Sequence, residues 1–181
     1  MTRKDETMKL LIALALGTAV LSACANMSKS NPVAVAQLKP TQGSEVSGTT
    51  SFTQQGDKLI VKTEVRGLKP GAHGFHVHER GDCSAPDASS AGGHFNPTKE
   101  AHGSPTSVPH HGGDLGNLEA DASGKAVAEV AIPVGSVNMK KGDPNSVIGR
   151  ALVVHADPDD YVSQPAGNSG KRVACGVIAL Q

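Results

Sequence analysis

Eight histidines punctuate this chain, and all of them fall between positions 73 and 155. His76 and His78 flank Val77 in a run with strand character, so both imidazoles share one face while Phe75 and Val77 point to the other. One face is expected to bind and the other to enter a core. His94, His102, His111 and Asp114 follow in a stretch whose glycines let the backbone fold them inward. Four nitrogen or oxygen donors of this kind suit a closed tetrahedral zinc site, and the lack of cysteine among them fits a metal held by imidazole and carboxylate, as zinc and copper can be. His155 ends the apolar run Ala151-Leu152-Val153-Val154, where it is either a ligand or a capping side chain. Each group taken singly is a weak signal, because surface strands carry His-x-His by chance and His-rich loops are also simply solvated.

The elements that must position these donors read as strands. Residues 33–37 alternate weakly, and 46–53 and 58–66 alternate clearly on either side of Gln55-Gly56-Asp57, which predicts two strands joined by a tight turn. Further short strands are expected over 74–78, 125–132, 148–155 and 173–180, and beyond residue 21 no stretch keeps a helical period. The result is an all-β domain, an antiparallel barrel or sandwich. Two segments do not fit strands, 81–115 and 156–171, and long structureless loops in a compact domain are usually functional. Seven of the histidines and Cys83 occupy the first loop and its N-terminal border, and the second loop starts at His155.

Composition narrows the function. Seventeen basic residues balance seventeen acidic ones, so nothing suggests a nucleic-acid partner, and any electrostatic steering must be local. With no Trp, a single Tyr and three Phe, the chain offers little for stacking bases or lining a large apolar pocket.

The N-terminus carries an address. Residues 10–21 form an apolar run preceded by Arg3, Lys4 and Lys9 and followed by Ser22, Ala23 and Cys24, which reads as a signal peptide over 1–23, with Met1 or Met8 as the start. A spanning helix needs about 20 apolar residues, more than this run holds. Leu21-Ser22-Ala23-Cys24 resembles a bacterial lipobox, so Cys24 is expected to carry lipid that holds the protein at a membrane, with 24–32 as a tether and 33–181 as the folded domain. An ordinary signal with an incidental cysteine is the other reading. With Cys24 lipidated, Cys83 and Cys175 remain as a disulfide pair suited to an oxidising compartment, the periplasm or cell envelope.

Taken together, Gly74-Phe75-His76-Val77-His78, Gly92-Gly93-His94-Phe95-Asn96-Pro97, His111-Gly112-Gly113-Asp114-Leu115-Gly116-Asn117 and Gly167-Asn168-Ser169-Gly170-Lys171-Arg172-Val173-Ala174-Cys175-Gly176 resemble the copper/zinc superoxide dismutases in order and interval, from about residue 33 to the C-terminus. The resemblance implies an eight-stranded antiparallel Greek-key barrel with two long functional loops. It makes His76, His78 and His155 copper ligands, His94 a bridge shared by both metals, and His102, His111 and Asp114 the rest of a zinc site. It implies Asp159 as the carboxylate linking a ligand of each metal, with Asp157 and Asp160 as near neighbours in register, and it matches Cys83 and Cys175 to an intrasubunit disulfide. His73 and His110 have no ligand position.

The activity implied is dismutation of superoxide by a redox-cycling copper beside a structural zinc. His94 would leave copper and take a proton when copper is reduced, and Arg172 would dock the anion, since a guanidinium stays charged. The segment Ser84-Ala85-Pro86-Asp87-Ala88-Ser89-Ser90 is an expanded linker, and the second loop lacks an evident Lys/Glu guidance cluster. Both features look like the bacterial exported branch, and they leave the steering lysines and a homodimer surface open. Two other readings are a metal-buffering protein, which would not require Arg172, and a structural envelope lipoprotein with an incidental His loop.

Overall fold

Alternation over the first third of the domain builds a three-stranded meander. The computed structural model describes residues 33–181, and within them β1 (Val33–Pro40), β2 (Ser47–Gln55) and β3 (Lys58–Arg66) pair antiparallel in succession. The segments expected to be a signal peptide (1–23) and a tether (24–32), with Cys24, fall outside the described residues. Gly56 has φ +60° at the first position of the two-residue β2–β3 turn, the conformation that matches the twist of a hairpin and that glycine adopts without strain. The remaining strands are β4 (Gly71–His78), β5 (Asp114–Ala120), β6 (Ala126–Pro133), β7 (Ala151–His155) and β8 (Arg172–Leu180).

Hydrogen bonding orders them β5-β4-β7-β8-β1-β2-β3-β6, every pair antiparallel. The neighbours β4/β7, β8/β1 and β3/β6 are distant in sequence, which gives the Greek-key character. The two edge strands, β5 and β6, approach each other and leave the barrel nearly closed. Closure of this kind removes most of the edge that an open sheet would expose. Inside, Phe52, Leu59, Val61, Phe75, Leu118 and Ile178 are fully buried and form one core.

The sequence predicts seven of these strands; it ends the first long loop at 115 and assigns no element to 116–124, whereas Asp114–Ala120 is the strand β5. Its pattern is masked for a physical reason. Asp114, Leu115 and Gly116 are buried in succession, so the strand begins without a solvent face, and only the short stretch from Asn117 to Ala120 alternates, with Glu119 exposed. The outer side of Gly116 lies against Pro105 and Tyr161 from the two loops.

The two long connections are the ones expected, between β4 and β5 and between β7 and β8. The first contains a short 3₁₀ turn, Ser89–Ala91, and is fastened to β8 by the Cys83–Cys175 disulfide, with Cα atoms 5.9 Å apart. Ala88 and Ala91 from this loop pack with Ala151, Val153 and Cys175 in a second, smaller apolar cluster. This explains why β7 is apolar up to His155: one side faces the barrel and the other faces the loop.

Candidate metal centre

Strand parity places the first donors. Phe75 and Val77 enter the barrel core, and His76 and His78 project to the opposite side of β4 beneath the loops. His155 comes from the end of the neighbouring β7, where the pairing with β8 shifts register between Val154 and His155; a second shift, between Gly74 and His76, lies in the pairing of β4 with β5. Such irregularities bend a strand locally and re-aim its side chains. The loop between β4 and β5 returns His94 to β4 through an isolated bridge with His78, then delivers His102 and His111 before Asp114 opens β5.

The outcome is two sets of donors that share one ring. His76, His78, His94 and His155 form the first set, and His94, His102, His111 and Asp114 the second; within each set the donor atoms lie within 4.8 Å of one another, and all seven residues are buried. His94 Nδ1 pairs with Asp114 Oδ1 at 2.9 Å, on the side of the second set, while its Nε2 has no hydrogen-bond partner. His76 Nδ1, His102 Nδ1 and His111 Nδ1 are likewise buried and unpartnered. Asp114 Oδ2 lies 3.1 Å from His102 Nδ1 and Oδ1 lies 3.3 Å from His111 Nδ1, close enough for charge attraction without forming a hydrogen bond.

Leaving four ring nitrogens buried and unsatisfied would be costly in a protein without a ligand for them. A metal ion in each set would satisfy them, and the donor types fit: imidazoles alone in one set, imidazoles with a carboxylate in the other.

The nitrogens facing away from the centres are occupied. Asp159 accepts from His76 Nε2 at 2.7 Å through Oδ2 and from His102 Nε2 at 2.9 Å through Oδ1, so one carboxylate joins a member of each set. His78 Nδ1 faces the carbonyl oxygen of Gly92 at 2.9 Å. Bonds of this kind fix tautomer and ring orientation. Asp157 and Asp160, the neighbours in register, do not take this place: Asp157 lies beside Gly170, and Asp160 accepts from Val162, Ser163 and Asn168. Gly167, at φ +65°, could not be another residue, because a Cβ there would lie 1.9 Å from Asp159 Oδ1 and 2.6 Å from His102 Nε2.

Electrostatics prepare both sets. Burial, reinforced by neighbouring imidazoles, pushes His78 and His155 well below the ordinary histidine range, and burial brings His94 down to about 4 against the opposing pull of Asp114. These rings are therefore neutral near pH 7, the form that ligates a metal. Burial also disfavours charge on His102, but the Asp114 and Asp159 carboxylates outweigh it and raise this ring to about 9. Burial alone would raise Asp114 and Asp159; the surrounding histidines prevail and hold both well below the usual carboxylate range.

A cavity of about 360 Å³ opens over His78, His94 and His155, with Arg172 on its wall and Gln164, Pro165 and Asn168 from the second loop along its rim. Arg172 donates from Nη1 to Ala88 O at 2.7 Å and from Nη2 to Gly92 O at 2.6 Å, which fixes the guanidinium while leaving further N–H groups for an anion. The structure thus brings together all the metal-binding candidates, Asp159 and Arg172. His73 and His110 lie outside both sets: His73 is buried between the carbonyl oxygens of His155 and Lys69, and His110 Nδ1 faces His111 O. Sequence reasoning missed Asn117, whose side chain both donates to Asp159 O and accepts from Asp159 N, and Gln164, which holds the backbone of His102. Only the position of Asn117 inside the third motif gave any hint.

Comparison with known proteins points the same way. A sequence profile described as "Copper/zinc superoxide dismutase (SODC)" matches residues 46–178. Superoxide dismutase [Cu-Zn] 2 of Aquifex aeolicus (strain VF5) is 44% identical over 147 residues, covering 79% of this chain and 84% of that protein. Among solved structures, the crystal structure of the clock protein EA4 superposes with a TM-score of 0.74 at 38% identity, over 84% of this chain and 96% of that one.

Proposed function

Because the chain belongs to the copper/zinc superoxide dismutase family and is an oxidoreductase acting on superoxide, we propose how its own residues divide that work and where in the cell they do it. The all-imidazole set, His76, His78, His94 and His155, takes copper, and the set containing a carboxylate, His94, His102, His111 and Asp114, takes zinc. The single observation that carries this reading is His94, whose one ring belongs to both sets. When bound, copper supplies a one-electron valence change and zinc a fixed positive charge.

The reaction converts two superoxide anions and two protons into dioxygen and hydrogen peroxide. Arg172 docks the anion at the cavity wall, its fork aimed by the Ala88 and Gly92 carbonyls. His94 Nε2, buried and unpartnered, is the atom that holds and delivers a proton at the centre. Asp159 keeps His76 and His102 in one tautomer each, so neither ring turns away as charge changes nearby. The protein loaded with copper and zinc accelerates superoxide decay; failure of the loaded protein to do so would reject the assignment.

The site of action is the cell envelope, with lipid on Cys24 as the anchor. Supporting this are the apolar run before Ser22-Ala23-Cys24 and a Cys83–Cys175 disulfide of the kind that persists in oxidising compartments. Labelled fatty acid should enter the wild type, and Cys24→Ser should abolish the labelling and release the protein from membranes.

A further inference from the structure

The segment between Pro97 and Gly112 contains no regular structure, yet it must hold His102 with its Nδ1 facing Asp114 and its ring almost wholly buried. The ring is fixed at Nε2 by Asp159. Its backbone is held by a single side chain. Gln164, from the other long loop, accepts the His102 N–H through Oε1 at 2.9 Å and donates from Nε2 to the His102 carbonyl at 3.0 Å. The amide thereby pairs with His102 as a neighbouring strand would, and among the described residues no other hydrogen bond reaches either backbone group of His102. Gln164 also donates to Val162 O, and with Pro165 and Ala166 it forms part of the wall of the cavity over His78, His94 and His155.

We propose that Gln164 is a positioning residue that fastens the zinc ligand His102 and, through the same two hydrogen bonds, couples zinc binding to the wall of the substrate cavity. This rests on the assignment of His102 to zinc. A glutamine is suited to the task because its amide carries both a donor and an acceptor and so satisfies both halves of one residue's backbone. Buried backbone groups without partners are unfavourable, so loss of the amide frees His102 to move and the second loop to lift from the first. Zinc would then hold less tightly, and the cavity wall would no longer report on whether zinc is present.

The test uses the full chain loaded with copper and zinc, and reads zinc affinity by competition with a chromogenic chelator, alongside cobalt(II) absorption at the zinc position. Gln164→Ala should lose zinc about tenfold to a hundredfold more readily, the range seen when groups behind metal ligands are removed. Gln164→Glu, which keeps the acceptor but sets a carboxylate against the His102 carbonyl, should behave like Gln164→Ala and not like wild type. Ser163→Ala, which removes the Asn168–Ser163 bond in the same loop without touching His102, serves as the control and should keep wild-type zinc affinity. Wild-type affinity in Gln164→Ala would overturn the proposal, as would an equal loss in Ser163→Ala, which would show general loosening of the loop. Whether wild type binds cobalt(II) at all tests the metal assignment separately, and the ratio between variants tests the role of Gln164.

Discussion

Arg172 donates from Nη1 to the carbonyl oxygen of Ala88 at 2.7 Å, across 84 positions of sequence. Ala88 sits at φ +57°, in the left-handed region, immediately before the 3₁₀ turn Ser89–Ala91, and its side chain is buried against the outer side of β7. The expanded linker therefore does more than span a gap. It is packed down by Ala88 and Ala91 and tied by Cys83, and so presents a fixed carbonyl to the guanidinium.

Arg172→Ala should slow superoxide decay by about tenfold to a hundredfold, the scale of a lost local attraction for an anion, while copper and zinc contents stay at wild-type levels. Arg172→Lys keeps the charge but cannot reach Ala88 and Gly92 together with a planar fork, so it should recover only part of the rate. Decay rates measured at several ionic strengths, with metal analysis of each variant, check both statements. Burial disfavours the charge on Arg172, and Asp87 opposes that effect.

Cys83→Ser should weaken the fold and also the site. The disulfide closes a separation of 92 residues, and constraining a loop of that size in the unfolded chain is worth about 4.6 kcal/mol in the entropy model. Because the same bond fastens the linker that aims Arg172, activity per bound copper should fall as well as stability. Denaturant unfolding and specific activity, measured on protein with equal metal content, separate the two losses.

Asp159→Asn should cost zinc about tenfold to a hundredfold in affinity, since an amide has one acceptor oxygen where two imidazoles now each find one. His76 and His102 cannot both keep their present bond. The measurement is chelator competition for each metal, and an Asp159→Asn protein that retains both metals as tightly as wild type would contradict the bridging role.

What the sequence made legible follows from where the information lies. His76 and His78 could be placed on one side of β4 because strand parity is local, and His94, His102, His111 and Asp114 could be grouped because they are close along the chain. The eight-stranded barrel was readable from seven strand-like segments, some alternating and some continuously apolar, together with the family resemblance, but β5 was not, because the loops cover its first half and leave too short an alternation to mark a strand. Gln164, Asn117 and Ala88 were invisible for a related reason. Gln164 and Asn117 act on a backbone group of a distant residue and Ala88 acts through its own carbonyl on a distant side chain, at separations of 62, 42 and 84 positions, and a residue type alone does not reveal such a partner.

Zinc binding should be linked to pH through His102. In the metal-free protein its ring is raised from 6.5 to about 9, because the Asp114 and Asp159 carboxylates overcome the effect of burial. A raised value means that the folded state gains stability from this charge below about pH 6.5 and loses that contribution as pH climbs through about 9. Zinc needs the neutral ring, so binding below about pH 9 must expel this proton, and zinc affinity should climb with pH across that interval. His78, His94 and His155 are already neutral at pH 7; of these only His94 gives up a further proton, and only when both metals share its ring, so zinc is titrated into protein free of copper. Calorimetry at pH 7.5 in buffers of different ionisation enthalpy should therefore detect a proton released by zinc. In His102→Gln that release should disappear, and its persistence would place the expelled proton on another group.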